Sequence, residues 1–340
     1  MTDPPTTGTE TGTETGTETG AAPGAAPGAR RRHVVFDHDG APDDLLALLL
    51  LTRYENVDLR GVAVTPADCL PAPGLSATRK ILALVGRDVP TALGVLPGRN
   101  PFPLAWRIDA LRADALPVLN QRGRTVPAAQ APPAHEQLAT WLAQAPGPVT
   151  VLATGPLTNI AWCLKHHPRL AARIEEIVFM GGALDVAGNV HQPGHDGTGE
   201  WNVYWDPDAV KCVFDSDVPI TMFPLDVTNR VPVTADFVEI FGRAYGEHVS
   251  DLAGSLLALT FGTLETTGLP YCCWDSLTAS YLADQDICTF ETVRCDVVTR
   301  SASQGRIVRS AGGRAVRCAR SVDADRFYRH FVTTLAPRGR

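Results

Sequence analysis

Short apolar runs alternate along the chain with longer segments of helical periodicity. The runs that predict strands lie at 33–36, 59–65, 149–153, 174–180 and 218–225. The segments that predict helices lie at 43–52, 77–85, 158–165 and 206–214. Strands that alternate with helices are typical of a mostly parallel sheet that is covered by helices on both faces. The pattern therefore predicts an α/β fold.

The pattern changes near the C-terminus. Strands are predicted at 291–299 and 306–310, a turn at Gly312-Gly313, and a returning strand at 315–319. Over 324–335, Phe327, Phe331 and Leu335 recur at a spacing of four residues, which places them on one face of a helix. We expect a small C-terminal β-hairpin followed by this helix.

The first 32 residues differ in composition from the rest. TGTE recurs from Thr7 to Glu18, AAPGAAPG and three arginines follow, and no Val, Ile, Leu or Phe occurs before Val34. Such a segment cannot bury enough apolar surface to offset the entropy lost on ordering. We expect residues 1–32 to form a disordered low-complexity tail and residues 33–340 to form one catalytic domain.

Composition excludes several classes of protein. The 340 residues carry 37 Asp and Glu against 30 Lys and Arg, for a net charge of −7, which does not favour nucleic acid as a partner. No run of about 18 apolar residues predicts a membrane span. The eight cysteines show neither a zinc-binding spacing nor a disulfide framework. We expect a soluble, cytoplasmic protein with reduced thiols.

Four carboxylates follow the first predicted strand within eight residues: Asp37, Asp39, Asp43 and Asp44. They lie between a strand end and a helix start, where open α/β sheets bind ligands. Two of them could simply complement the helix dipole, but four exceed that need. Carboxylates without matching Cys or His favour a hard cation such as Ca²⁺ or Mg²⁺. The loop therefore predicts a metal site.

Two metal-dependent families begin in this way. Asp37-His38-Asp39-Gly40 resembles the DxDG run of haloacid-dehalogenase-like phosphatases. The DxDxxxDD signature of nucleoside hydrolases is matched in full by the same loop. Four later segments separate the two families. They are ATGPLTNIA at 153–161, IVFMGG at 177–182, the segment 188–210, which begins with GNV and ends with DAV, and WDSLTASYLAD at 274–284. These segments resemble nucleoside hydrolases, in that family's order, from about residue 34 to the end.

The resemblance implies a single domain with a Rossmann-like central sheet and a set of metal ligands. Asp39 and Asp44 would bind Ca²⁺, with the main-chain carbonyl of Thr154 and the carboxylate of Asp275. Asp39 would also act as the general base that activates a metal-bound water, and Asp37 would support the ligands. A water positioned opposite the leaving base predicts inversion at the anomeric carbon.

The resemblance also implies residues around the sugar. The ribose hydroxyls would be held by Asp43, Asn189, Glu200 and Asn202, with Met180 against the sugar. Cleavage of an N-glycosidic bond passes through an oxocarbenium-like sugar, so carboxylate and amide oxygens there stabilise the developing positive charge. Each residue alone also has a structural interpretation, since Asn189 after Gly188 is typical of a turn.

The chain departs from many family members on the base side. Trp274 precedes Asp275, where many members carry the histidine proposed as general acid. In this respect the chain resembles the purine-preferring inosine-adenosine-guanosine branch, which also has Trp-Asp at this point. It resembles that branch further in Glu200-Trp201-Asn202, in Trp106 and in Asp68, and the last two would contact the base. Two indoles could stack on a purine and favour its protonated form. Ala41 stands where this branch often has Asn.

We therefore expect a Ca²⁺-dependent hydrolase that converts purine ribonucleosides to free base and ribose. Alternatives are a broad-specificity or pyrimidine-preferring nucleoside hydrolase, and a nucleoside-binding family member with little turnover. A phosphatase is the most distant alternative. The resemblance also implies a homodimer or homotetramer.

Overall fold

The computed structural model describes residues 31–121, 131–244, 246–261 and 270–336. The predicted tail falls outside these ranges except for Arg31 and Arg32. Arg32 opens the first strand, and the Arg31 guanidinium donates to the Val57 carbonyl at 3.0 Å. The first strand thus begins one residue before the predicted start.

Nine strands form one sheet among the described residues. They are β1 Arg32–His38, β2 Val57–Val64, β3 Thr91–Leu93, β4 Val149–Ala153, β5 Ile174–Met180, β6 Ile220–Phe223, β7 Cys288–Val298, β8 Arg306–Arg309 and β9 Arg314–Val322. Their order is β3-β2-β1-β4-β5-β6-β9-β7-β8. The first six pair in parallel, and β9 continues the parallel pairing beside β6.

Fourteen α-helices connect and cover these strands in the described parts of the chain. They are α1 Pro42–Arg53, α2 Pro71–Leu84, α3 Leu104–Arg107, α4 Asp109–Asp114, α5 Pro117–Asn120, α6 Ala134–Gln144, α7 Thr158–His166, α8 Trp201–Trp205, α9 Pro207–Phe214, α10 Leu225–Thr228, α11 Ala235–Arg243, α12 His248–Leu259, α13 Trp274–Ser280 and α14 Ala324–Leu335. Two short 3₁₀ helices follow α7 and α13, at Pro168–Arg173 and Gln285–Ile287.

Alternation along β1 divides the core between the two faces of the sheet. Val34 and Phe36 pack into the cluster formed with α1, α11, α12 and α14, whereas Val35 packs with α6, α7 and α9 on the other face. Helix α1 is apolar on all sides and is buried along almost its whole length, because α12, α13 and α14 enclose it. The predicted α/β fold with helices on both faces is confirmed.

The C-terminal strands form a hairpin and also extend the main sheet. β8 and β9 follow each other across Gly312-Gly313 but do not pair; β9 inserts between β6 and β7, and β8 pairs with the far side of β7. Val316 and Cys318 of β9 are buried, so this position continues the core of the main sheet. The predicted C-terminal hairpin is present as the antiparallel pair β7–β8, but the turn at Gly312-Gly313 does not return β9 onto β8. The final helix over 324–335 is confirmed.

The strand order places a crossover point at the start of the sheet. β1 lies between β2 and β4. After β1 the chain continues to β2 on one side, and the later strands β4, β5 and β6 are added on the other side. The loops after β1 and β4 therefore diverge and leave a crevice at the carboxyl edge, which is where open α/β sheets bind ligands.

Candidate active site

The acidic loop turns sharply between β1 and α1. Gly40 has φ +83°, and a Cβ there would lie 2.7 Å from the Cβ and Sγ of Cys69. Only glycine fits both the backbone conformation and this close approach. Pro42 then begins α1 at a position where its missing N–H costs nothing. The turn brings all four aspartates to the crevice, and each of them is buried.

Asp37 is held by side chains from two neighbouring segments. Its carboxylate accepts hydrogen bonds from Thr65 Oγ1 at 3.0 Å and from Asn159 Nδ2 at 3.1 and 3.2 Å. Asn159 also donates to Thr65 Oγ1 at 2.8 Å, which closes the network. Burial raises the pKa of Asp37 to about 7, although these hydrogen bonds oppose the shift.

Asp44 lies at the centre of the carboxylate cluster. It accepts the Ala41 N–H at 2.9 Å and the Thr154 hydroxyl at 2.5 Å. The Asp39 and Asp275 carboxyl groups both lie beside Asp44, although they come from different ends of the chain. Burial, followed by repulsion from Asp44, raises the pKa of both carboxyls well above the usual range.

Thr154 connects this cluster to the start of α8. Its N–H donates to the Asp37 carbonyl at 3.0 Å, and its own carbonyl accepts from Asn202 Nδ2 at 2.8 Å. The structure thus brings together the four predicted metal ligands: Asp39, Asp44, Thr154 and Asp275.

The donor set fits a hard divalent cation. The predicted ligands are all oxygen atoms, and three buried carboxyl groups in contact need a proton or a cation between them. In the described ranges, no group of three or more His, Cys, Asp and Glu side chains surrounds a common point in metal-binding geometry. The fit therefore rests on the chemistry and the convergence of the donors.

Asp43 contacts the first turn of α13. Its Oδ2 accepts the Asp275 N–H at 2.6 Å, and its Oδ1 accepts the Ser276 hydroxyl at 2.5 Å. The side chain therefore caps a helix more than 200 residues away in sequence, and α1 packs along α13. Burial raises the pKa of Asp43 to about 7 against these hydrogen bonds.

Glu200 caps α8 and ties it to the loop after β5. Its carboxylate accepts the N–H groups of Asn202 at 3.0 Å, of Val203 at 3.3 Å and of Gly182 at 2.9 Å. Burial raises its pKa, and these backbone donors oppose the shift. The Asn202 amide donates to the carbonyls of Thr154 and Met180 and to Met180 Sδ. Three predicted ribose residues thus meet beside the carboxylate cluster.

Asn189 joins the same group through α8. Its side-chain oxygen accepts the Trp201 N–H at 3.1 Å, and its carbonyl accepts Trp201 Nε1 at 3.0 Å. Gly188 before it lies so close to Gly199 that a Cβ would be 2.0 Å from that carbonyl oxygen. The loop 188–199 therefore returns to its own start and presents Asn189 beside Glu200.

The two predicted base-side tryptophans lie in different clusters. Trp274 packs with Met180, Ala183 and Leu225, which places it next to the predicted sugar contact. Trp106 packs edge-on against Trp201 at 5.1 Å between ring centroids. Asp68 donates a backbone hydrogen bond to Asp39, and its Oδ1 has no hydrogen-bond partner among the described residues. Burial raises the pKa of the Asp68 carboxyl well above its usual range.

Sequence reasoning missed several residues that shape the site. Thr65, Asn159 and Ser276 bind the acidic loop, and Tyr271 stacks edge-on against Trp274 at 4.5 Å. Asn159 and Ser276 stand inside motifs that the sequence resemblance had already identified, so their positions carried a signal. Thr65 and Tyr271 carried none.

The described part of the chain contains no helix that is long and apolar enough to cross a membrane. All eight cysteines are free thiols, and seven of them are buried.

Comparison with known proteins identifies the family. The sequence model of the inosine-uridine preferring nucleoside hydrolases matches residues 34–329. The protein is an N-glycosyl hydrolase in fold and family, and it belongs to the inosine-uridine preferring nucleoside hydrolase family.

Curated relatives of the chain carry a narrower description. The pyrimidine-specific ribonucleoside hydrolase RihA of Citrobacter koseri is 35% identical over 229 residues, which cover 66% of this chain and 69% of that protein. RihA of Photobacterium profundum is 37% identical over 230 residues, which cover 66% and 70%. These relatives do not support the expected purine-preferring branch.

Solved structures agree on the fold. The inosine-uridine preferring nucleoside hydrolase from Bacillus anthracis is 39% identical, with a TM-score of 0.84 over 90% of this chain and 99% of its own. A purine-preferring ribonucleoside hydrolase from Gardnerella vaginalis shares the fold, with a TM-score of 0.75 at 23% identity over 90% of this chain and 98% of its own. The single α/β domain is therefore that of the nucleoside hydrolases.

Proposed function

We propose that the protein hydrolyses the N-glycosidic bond of ribonucleosides with broad base specificity that includes pyrimidines, and that Ca²⁺ is its cofactor. The observation that carries the proposal is the convergence of three buried carboxyls, Asp39, Asp44 and Asp275, next to Glu200, Asn202 and Met180. A cluster of this kind suits a substrate that has a polyhydroxylated sugar and develops positive charge at its anomeric carbon.

Asp39, Asp44, Asp275 and the Thr154 carbonyl would hold the cation. When bound, Ca²⁺ orients sugar hydroxyls and lowers the pKa of water. Asp39 is the general base in this proposal, because among the three clustered carboxylates it extends from the turn itself rather than from a helix. Its carboxylate removes a proton from water on the face of the sugar opposite the base, so the product ribose has inverted configuration.

The other polar groups bind the sugar. Glu200 and Asn189 spend part of their hydrogen-bonding capacity on the start of α8, and Asp43 spends part of its own on α13. Each carboxylate or amide oxygen has a further lone pair for a ribose hydroxyl. Because backbone N–H groups fix these oxygens before substrate binds, little reorganisation is needed in the transition state.

The broad base preference rests on the relatives. The curated relatives are called pyrimidine-specific, and the Bacillus anthracis protein, at 39% identity, is called inosine-uridine preferring. Purine selectivity is the second candidate, favoured by Trp274, whose indole lies beside Met180 and offers a ring face for stacking.

A substrate panel tests the proposal. Purified protein is incubated with uridine, cytidine, inosine, adenosine and guanosine, and free base is separated by chromatography, with and without a calcium chelator followed by Ca²⁺ or Mg²⁺. We expect uridine and inosine both to be cleaved, and activity to be lost with the chelator and restored by Ca²⁺. Cleavage of purine nucleosides alone would favour the second candidate. Binding measured by calorimetry without product would favour a nucleoside-binding protein.

A further inference from the structure

The indole N–H of Trp274 is engaged inside the protein. Trp274 Nε1 donates to Asn229 Oδ1 at 2.8 Å, although the two residues are 45 positions apart in sequence. The ring is also held by Tyr271, whose ring centroid lies 4.5 Å away at an interplanar angle of 65°. Two contacts in different directions fix the rotation of the indole about its side-chain bonds.

Asn229 stands at a well-anchored place. It directly follows α10, whose Asp226 accepts the N–H groups of Leu184 and Asp185 at 2.9 and 2.8 Å. The Asn229 carbonyl accepts Cys272 Sγ at 3.7 Å, and Val231 and Cys273 pair through their backbones at 2.9 Å. The backbone that carries this acceptor is therefore anchored both to the loop after β5 and to the segment before α13.

This hydrogen bond limits what Trp274 can offer to a substrate. An indole has one donor and no acceptor, and here the donor is used by Asn229. Only the ring face is left for a nucleobase, and a ring face attracts purines and pyrimidines alike because every base has a π face. A free N–H would instead favour bases with an acceptor at a matching position.

We infer that Asn229 is a positioning residue that presents the face of Trp274 to the leaving base and keeps its N–H away from it. The inference rests on the proposed nucleoside hydrolysis and deepens it, because it assigns the broad base tolerance to one hydrogen bond. Asn229 itself is exposed, and its side-chain oxygen contacts the Trp274 indole.

Four variants separate positioning from general damage. Asn229→Leu removes the acceptor at similar volume, and Asn229→Asp keeps a side-chain oxygen in the same place. Trp274→Phe removes the donor and keeps an aromatic face, and it is combined with Asn229→Leu. Arg230→Leu is the matched control, since Arg230 is exposed, adjacent, and donates to the Asp226 carbonyl of α10 at 2.9 Å rather than to the indole.

Kinetics with uridine and inosine provide the first measurement. Losing one hydrogen bond of ordinary strength predicts that Asn229→Leu lowers kcat/KM about fivefold, mostly through a higher KM. Asn229→Asp restores most of the loss, and Arg230→Leu has little effect. In the Trp274→Phe background, Asn229→Leu adds nothing, because the bond it would break is already gone.

Fluorine NMR of protein labelled with 5-fluorotryptophan provides a measurement independent of turnover. The Trp274 resonance, assigned by its loss in Trp274→Phe, is expected to shift or broaden in Asn229→Leu and to return in Asn229→Asp. An unchanged resonance, or an additive kinetic loss in the double variant, overturns the inference. If the wild-type protein cleaves no nucleoside, the proposed function fails, while the fluorine spectra still decide whether Asn229 orients Trp274.

Discussion

The four aspartates of the acidic loop have different partners, and their partners separate structural from chemical tasks. Asp37 is fully engaged by Thr65 and Asn159, and Asp43 caps α13 through Ser276 and the backbone. Asp39 and Asp44 instead face each other. Of these four aspartates, Asp37 and Asp43 thus hold the walls of the crevice together, and Asp39 and Asp44 form its charged centre.

This division predicts opposite effects for two substitutions. Asp39→Asn is expected to lower kcat by about 10²- to 10⁴-fold, the usual contribution of a general base. The same change is expected to leave the metal-free protein as stable as the wild type or more stable, because it removes one buried charge from a repelling cluster. Activity assays and thermal unfolding with a chelator present check both.

Asp43→Leu is the comparison. It removes the cap of α13 and leaves the Asp275 N–H and Ser276 hydroxyl without their acceptor, so we expect it to lower the unfolding temperature. Asp39→Asn that retains full activity would exclude Asp39 as the base. Equal destabilisation by both variants would contradict the division of tasks.

At the scale of elements, the four-residue helix α10 connects separate parts of the site. Its Asp226 side chain holds the loop after β5 through Leu184 and Asp185, and its Leu225 N–H donates to the Gly182 carbonyl at 2.9 Å. Gly182 in turn donates to Glu200, which caps α8. The position of the predicted ribose residues therefore depends on α10. The Asp226 side chain acts on them indirectly, through the loop after β5.

Asp226→Ala tests this connection. It leaves two backbone N–H groups without their acceptor, which we expect to cost about 1–3 kcal/mol in the free energy of unfolding. We also expect a higher KM for nucleosides, because the loop that contacts Glu200 loosens. Denaturant unfolding and kinetics measure the two effects. Asp236→Asn, an exposed acid in the first turn of α11, is the control and should change neither.

Several elements could be predicted from the sequence because their signals are local. The strands at 149–153 and 174–180 and the final helix have the predicted bounds, since apolar runs and spacing mark them directly. Helix α2 begins at Pro71, before the predicted 77, because Pro71 and Pro73 suit a first turn although they are typical of loops. Helices α8 and α13 are short, so little periodicity marks them, and the Asp43 side chain that caps α13 is distant from it in sequence.

The sequence predicted which residues belong to the candidate site, but it predicted few of the contacts between them. The motif order identified the aspartates, Glu200 and Asn202, because several segments matched one family together. The pairing of Asp43 with α13, and of Trp274 with Asn229, depends on which segments the fold brings together. The position of β9 between β6 and β7 is also non-local, so the turn at Gly312-Gly313 did not reveal that β9 pairs with these two strands rather than with β8.

At the scale of the whole molecule, the crevice concentrates charge that the fold does not itself neutralise. β1, the turn after it, α1 and α13 bring Asp37, Asp39, Asp43, Asp44 and Asp275 together in the interior. Burial and mutual repulsion raise the pKa of Asp39 and Asp275 well above the usual range, and burial raises the pKa of Asp43 to about 7. Charge in this cluster therefore opposes folding unless protons or a cation compensate it.

The stabilisation that Ca²⁺ provides should therefore increase with pH. A carboxyl whose pKa is higher in the folded than in the unfolded protein stabilises the fold fully below its unfolded pKa, and this contribution is lost as the pH rises through the folded pKa. For Asp43 that loss is centred at about 7. Bound Ca²⁺ replaces the protons. The rise in unfolding temperature that Ca²⁺ causes, measured against a sample with chelator, should therefore be larger at about pH 8 than at about pH 5.5. Thermal unfolding at several pH values measures this difference, and Asp275→Asn should reduce it. A difference that is constant with pH would mean that the cation binds away from the carboxylate cluster.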